Sequence, residues 1–562
     1  MPPRTYRLNR RDALRLAGAG GALALAGCIG DDDPEDPADD DVDDTADDAE
    51  GEVDEDVFVE GMETGPSTLD IHEATRVPES MLLNSIHEPL FAIDPDLEPV
   101  PRLAEGYEEN DDATEFVIEL RDGISFHDGT ELDAESVAFT FDRLIDISPQ
   151  VWRLGPIDSV EATGDMEATF HYDEPYPLLP QYLAHSYIGI VSPDAVEEAG
   201  DDYGQEVVVG TGPLQFEEWD RDEEIVLSRF DEYDWGPEFL SNQGPVNFEE
   251  FRFRLIPEAS TLYNELTVGS VHGTPYLATS DAADAEEHEN TSLERIEDPH
   301  PSFLPLNVTE PPTDEVEVRQ AIAHAINKDA VIDAALNGEG YPIWNVSPPL
   351  AEGAFDEDTA REQGIEYDPD AAREVLEDAG WTNEAEGEVR ERDGEPLEIA
   401  FFAFTISRYE SMGEVVQAML SEVGFDVNLE ILEAGTLYDR AEGSEHNVLT
   451  MSLSGGYQAV DTLESALDSA NVATEGGTNY SLWEDEEFDA AVSAAKSDPD
   501  EAAREEAIVE AQELVNQNVP VVPIAGYTKF YGYKNEVDLG TWFDHPWWPD
   551  QYYAHRLEVD IE

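Results

Sequence analysis

The side chains of this sequence that could do chemistry stand apart from one another. His127-Asp128 lies in a glycine turn, His87-Glu88 precedes Pro89, and His324 falls in a helical stretch. Two ligands do not make a metal site, so His127 and Asp128 read as turn residues. His87-Glu88 does not open a zinc-protease helix, because Pro89 follows and no second histidine stands at the required spacing. Val209-Gly210-Thr211-Gly212-Pro213 has neither the dinucleotide glycine spacing nor a Walker lysine, which leaves a rigid turn rather than a phosphate cradle. There is no Gly-x-Ser-x-Gly elbow and no paired Cys/His cluster. Acidic pairs are so common that a carboxylate dyad cannot be recognised among them. These residues therefore offer no catalytic motif and no cofactor or metal site, and between a binding protein and a secreted hydrolase they do not choose by themselves. The two readings separate because a binding protein leaves its ligand chemically unchanged.

The elements that must position these residues are well punctuated. Phe116, Ile118 and Leu120 alternate with Val117, Glu119 and Arg121, the period of a half-buried strand. Arg121-Asp122-Gly123 supplies a turn, Ile124-Ser125-Phe126 resumes the extended pattern, and His127-Asp128-Gly129 turns again, with glycine free to take positive φ. Asp133 is positioned to cap a helix whose apolar faces carry Val137, Phe139, Phe141 and Leu144. Ala168–Tyr172 and Phe251–Ile256 alternate as strands, and Ser260–Thr267 reads as a helix. Val318, Ile322 and Ile326 recur at helical spacing with Ala325 beside them, which predicts core packing for His324 as well. Pro369 and Gly380 mark the start and stop of a helix. Leu397–Phe401, Tyr409–Val423 and Asp426–Leu432 form a βαβ unit, which implies a sheet covered by helices.

A chain of 562 residues exceeds the ~250 to 300 residues at which single cores stop growing, so division into lobes is expected. The formal net charge is −104, from 132 acidic and 28 basic side chains spread along the chain. In ordinary salt that self-repulsion opposes compaction; at molar salt the Debye length falls to ~3 Å and the penalty largely disappears. The composition points to work in concentrated brine. It also excludes nucleic acid as a partner, since little here could release phosphate counterions.

Arg4 to Arg15 carry five arginines, including Arg10-Arg11, ahead of the apolar run Ala13–Ala26. At about 14 residues the run is short for a membrane span, which needs ~20, and it looks like a twin-arginine export signal. It ends in Leu25-Ala26-Gly27-Cys28, similar to a lipobox whose cysteine thiol receives the lipid. Cys28 is the one cysteine, so no intrachain disulfide is possible. Asp31 to Asp56 hold 17 acidic residues with no aromatic residue, a tether unable to bury enough apolar surface to order itself. As a calcium loop this tract lacks the glycine and closing glutamate.

Leu103-Ala104-Glu105-Gly106, the strand Phe116–Leu120, Arg121 through Thr130 and Ala134-Glu135-Ser136-Val137 together resemble the signature of extracytoplasmic solute-binding proteins of family 5. Thr68-Leu69-Asp70, Asn84 through Phe91, Gly210 through Trp219, Leu304 through Ile326 and Tyr367 through Trp381 extend the resemblance over most of the chain. It implies an α/β, two-lobed periplasmic-binding-protein-like fold (type II, cluster C) with an extra small domain in the first lobe. The expected organisation is an export signal (residues 1–28), an acidic tether (29–56), first-lobe parts 57–90, 207–297 and 523–562, the extra domain 91–206, and a second lobe 298–522. The aromatic tail, Trp542-Phe543 and Trp547-Trp548 to Tyr553, is expected to pack on the first lobe. The implied function is that of a lipoprotein anchored by Cys28 to the outer face of the cell membrane. As a monomer it would capture a peptide or other small organic solute by lobe closure and deliver it to ABC permease subunits with cytoplasmic ATPases. Nickel chelates and non-peptide, sugar-like solutes are the alternatives within the same fold. In peptide-binding relatives an aspartate beside a tyrosine holds the peptide ammonium. This chain has Gly456-Tyr457 there and Thr450 where an arginine often sits, with Asp461 one turn on. The candidate ligand-binding residues in the cleft are Thr68, Tyr457, Gln458 and Trp483, the Tyr and Trp because they present wide, amphipathic faces to a ligand.

Overall fold

The computed structural model describes residues 56–561, apart from 299, 384, 386–387, 454–457 and 541–557. The signal, Cys28, nearly all of the tether, Tyr457 and the expected aromatic tail lie outside the described residues.

One strand organises the molecule. Val521–Lys534 is 14 residues long; its first half pairs with Ser302–Pro305 and Gly340–Pro342, its second with Thr291–Glu297 and Gly273–Thr274. It thus passes from the second lobe into the first, and the segment between Glu297 and Ser302 passes back beside it. Asp298 N–H donates to the Tyr527 carbonyl at 2.8 Å, and the Tyr341 hydroxyl donates to the Asp298 carbonyl at 2.8 Å. Gly526 is required at this crossing because a Cβ there would overlap the Tyr341 ring.

In the first lobe Val57–Met62 runs parallel to Glu250–Leu255, which continues antiparallel to Glu224–Arg229 and Leu214–Asp220. The extra domain is a four-stranded antiparallel sheet in the order Ala104–Glu109, Glu115–Leu120, Glu167–Tyr172, Ile157–Gly164. Phe116, Ile118 and Leu120 are buried, as their alternation predicts, and Phe116 pairs with Phe170 across the sheet. Phe170 in turn meets Phe141 of the helix Ala134–Ile147 edge-on at 4.7 Å. Asp133 caps that helix, accepting from Ser136 N–H at 2.8 Å. Gly123 and Gly129 take φ of 85° and 83°.

Ile124-Ser125-Phe126 does not form the expected strand. The glycine turns on either side leave room for a single bridge, Ser125 to Glu131, closed by Phe126 N–H to the Thr130 carbonyl at 2.8 Å. His127 is a staple: its Nε2 donates to the Gly212 carbonyl at 2.8 Å while Nδ1 accepts from Gly210 N–H at 3.4 Å. Burial pushes this imidazole down to about 4, so the neutral ring those two bonds require is the stable form. Gly210 and Gly212 are required by close approach, since a Cβ on either would overlap the backbone carbonyls of Ile86 or Ser85.

Glu88 is fully buried in the first lobe. Its carboxylate accepts from Arg102 Nε and Nη2 at 3.0 and 2.9 Å, Tyr233 OH at 2.9 Å, Trp235 Nε1 at 2.8 Å and Thr211 Oγ1 at 2.8 Å.

The second lobe contains the expected βαβ unit: Glu398–Phe404 parallel to Asp426–Leu432, with Ser407–Val423 between them and Val448–Leu449 as a third parallel strand. In the helix Val316–Ala325, Val318 and Ile322 are buried, but His324 is not in the core. Two residues past Ile322 it sits about 200° round the helix, half-buried, with Nδ1 at 3.0 Å from the Glu366 carbonyl. Among the described residues no helix is long and apolar enough to cross a membrane.

Candidate functional site

In open α/β sheets ligands sit outside the carboxyl ends of the strands. The parallel strands of the second lobe bring three segments to that edge. Glu398–Phe404 leads to Arg408-Tyr409, Asp426–Leu432 to the helix Ala434–Glu442 with Tyr438, and Val448–Leu449 towards Gln458 and the helix Ala459–Leu467 with Asp461. Arg408 is exposed, with its guanidinium 4.8 Å from the Tyr409 ring and 5.1 Å from that of Tyr527 on the crossing strand. Among the described residues it has no carboxylate partner, in a chain where carboxylates abound. The Tyr527 hydroxyl donates to Ser302 Oγ at 2.9 Å.

Tyr527 and Lys529 are two apart on one strand and so project to the same face. Lys529 Nζ lies 3.4 Å from the Asp298 carboxylate, which His300 also engages. Burial on its own would raise the Asp298 carboxyl, but Lys529 and His300 hold it well below the usual carboxylate range. Lys529 borders a cavity of about 560 Å³ at the carboxyl end of Val57–Met62, lined also by Glu63, Thr64, Val77 and Tyr276. That volume falls within the range of small-molecule sites.

Away from the crossing, the extra domain meets the second lobe. The Tyr182 hydroxyl donates to Asp461 Oδ1, a bond between residues 279 apart in sequence, while Asp461 Oδ2 is buried without a partner. Burial pushes the Asp461 carboxyl up to about 6; the Tyr182 bond, Arg153 and Lys496 oppose the rise and Glu464 adds to it. Around it stands an aromatic and cationic wall. Tyr176 stacks on Tyr182 at 5.8 Å, Trp152 meets Tyr182 edge-on at 6.5 Å, and the Arg153 guanidinium lies 4.2 Å over Trp152. Beside this seam Glu98, Gln181, Glu352, Gln458 and Arg504 line a cavity of about 160 Å³. This volume is too small for a dipeptide but sufficient for a side chain.

Of the residues singled out from sequence, Gln458 lines this smaller cavity and its Nε2 donates to Glu352. Thr68 is buried in a local turn, its hydroxyl accepting from Asp70 N–H at 3.1 Å. Trp483 packs on Phe488 at 4.9 Å inside the second lobe, and Tyr457 is outside the described residues. The structure thus brings none of the described three together with another. Arg408, Lys529, Tyr182 and Arg153 were not found from sequence. Only one signal could have pointed to any of them: lysine is so rare here that Lys529, in a proline-flanked strand, stands out.

The profile of bacterial extracellular solute-binding proteins, family 5 (middle region), matches residues 98–474. The chain is 28% identical over 469 residues to a dipeptide-binding protein of Escherichia coli K12, covering 78% of this chain and 83% of that one. It is 25% identical over 466 residues to a glutathione-binding protein of Salmonella paratyphi A, covering 82% and 86%. Among solved structures, HbpA2 of Haemophilus parasuis superposes with a TM-score of 0.77 at 22% identity, covering 90% of this chain and all of that one.

Proposed function

Because the chain belongs to the bacterial extracellular solute-binding proteins of family 5, a family of non-enzymatic binding proteins serving import, we propose that it captures a small zwitterionic organic solute, with peptides first. Asp461 receives the solute's ammonium group and Arg408 its carboxylate. The observation that carries this reading is the half-satisfied Asp461: a buried carboxyl with one free oxygen, supplied by one lobe and covered by the other. An ammonium donating to that oxygen forms a charge-assisted bond, stronger than a neutral one. It binds only where both lobes meet, so the solute biases closure by its differential affinity for the closed form. Gln458 lies in the adjoining cavity, where it can take a solute side chain.

Calorimetry in concentrated salt tests this with dipeptides, their N-acetylated and C-amidated forms, and glutathione, the solute named for the Salmonella relative. N-acetylation and Asp461→Asn are each expected to weaken dipeptide binding at least tenfold, about 1.4 kcal/mol. Equal binding of free and N-acetylated peptides removes the ammonium from Asp461.

The same proposal includes export by the twin-arginine signal and anchoring through lipid on Cys28, as a halophilic monomer that hands its solute to an ABC permease. Cys28→Ser is expected to move the protein from the membrane fraction to the medium. Retention in the membrane fraction argues against the lipid anchor.

A further inference from the structure

The chain has four lysines, and three of them have a carboxylate within ion-pair distance: Lys496 with Glu464 at 2.6 Å, Lys529 with Asp298 at 3.4 Å and Lys534 with Glu536 at 3.8 Å. Lys328 is the exception. It is 6% exposed at the start of the helix Lys328–Leu336, and among the described residues no carboxylate pairs with it. Its ammonium donates one bond, to the Ile343 carbonyl at 2.6 Å, and stands 3.9 Å over the ring of Trp344. An ammonium has three donors, so the contact leaves hydrogen-bonding capacity on a buried cation. Burial pushes Lys328 down to about 7, as expected where nothing anionic offsets the loss of water.

Lys328 and Trp344 line a small cavity with Asn516, lined also by Ala323, Val519 and Val521. Trp344 Nε1 and Asn516 Nδ2 are both buried without partners. Unpaired buried donors are uncommon and costly. Here two occur beside one cavity, together with a buried lysine that has no carboxylate partner among the described residues. The lining therefore offers positive charge and N–H groups, with no acid. The cavity measures about 20 Å³, while a single water needs roughly 10–15 Å³ on this measure. A monatomic ion fits.

We propose that this cavity is a halide site, with chloride as its occupant, held by Lys328 Nζ, Trp344 Nε1 and Asn516 Nδ2. A chloride there supplies the counter-charge that every other lysine obtains from a side chain. The site joins the helix Lys328–Leu336 to the end of Glu501–Asn518 and to the base of the crossing strand, so its occupancy stabilises the second lobe. Surface halide binding is disfavoured on a chain of this net charge, which makes a specific halide response readable.

Crystals grown in sodium bromide, measured at the bromine absorption edge, are expected to show an anomalous peak within about 3.5 Å of Lys328 Nζ, a distance typical of a hydrogen bond to a large anion. Solvent density without anomalous signal would mean water and overturns the proposal. In solution, melting temperature is compared in sodium chloride and sodium gluconate at equal ionic strength. Wild type is expected to melt higher in chloride, and Lys328→Met to lose that increment; an undiminished increment in the variant overturns the assignment. Should Lys328→Met fail to fold, Asn516→Leu keeps the cation and removes one donor. Its chloride increment is expected to shrink, and an unchanged one counts against the site.

Discussion

Glu88 and Asp461 are both buried carboxyl groups, and the regions around them differ in one respect. Inside the first lobe, Glu88 accepts from Arg102, Tyr233, Trp235 and Thr211, so each oxygen is fully used. At the seam between the extra domain and the second lobe, Asp461 has one donor, Tyr182, and one unpartnered oxygen. A saturated network rigidifies and specifies a core. An unsaturated one leaves an acceptor available, which burial alone would not select. The difference separates scaffold from site more sharply than burial does, because both groups are almost fully enclosed.

The largest expected effect lies on the scaffold side. Glu88→Ala takes the buried carboxylate away from Arg102, whose side chain is 4% exposed, and from Tyr233, Trp235 and Thr211, and should lower stability by about 3–5 kcal/mol. Denaturant unfolding in brine measures this; a loss below 1 kcal/mol would put Glu88 on the same footing as Asp461. At the seam, pH supplies the test. The Asp461 carboxyl titrates near 6 when buried, against 3.8 ordinarily, so protonation favours the folded form. Its contribution is fully present below about pH 4 and is lost as pH rises through about 6, a change on the order of 3 kcal/mol at most. The unfolding free energy of wild type minus that of Asp461→Asn should therefore fall across this window. A difference that rises with pH would contradict the burial argument.

Gly129→Val probes the extra-domain turn, where no atom lies within 4 Å of the added Cβ but φ is 83°. Backbone strain alone should lower stability by about 1–3 kcal/mol and leave affinity of the folded fraction unchanged. An affinity loss without a stability loss would move this turn to the functional side. Tyr182→Phe is the smallest change. It removes the donor to Asp461 at a cost of about 1 kcal/mol and should raise the Asp461 titration further, visible in the same pH difference curve.

Much of the fold was legible because it rests on neighbours in sequence. The alternation of Phe116, Ile118 and Leu120, the Asp133 cap, the glycines at 123, 129 and 424, and the strand–helix–strand unit from Glu398 to Leu432 all follow local rules. Where such rules were stretched they failed. Ile124–Phe126 was too tightly bracketed for a ladder, and His324 was assigned to a stripe from which its angle on the helix excludes it. Asp461 stands one turn past the position at which peptide-binding relatives hold the ammonium, so its place in the sequence brings it near the site without assigning it. The spacing could not show that Tyr182 of the extra domain reaches it.

By itself, then, the sequence determined the family, the order of elements and the acidic, lysine-poor character of the chain, since these depend on short-range pattern and composition. Tertiary structure alone decided which polar groups are left incomplete. Whether Asp461, Trp344 or Asn516 keeps an unpaired atom depends on side chains brought from distant segments, and no local pattern records that accounting. The crossing strand Val521–Lys534 shows both halves of the division. Its β-branched, proline-flanked start reads as a strand, whereas its reach from one lobe to the other is visible only in its partners.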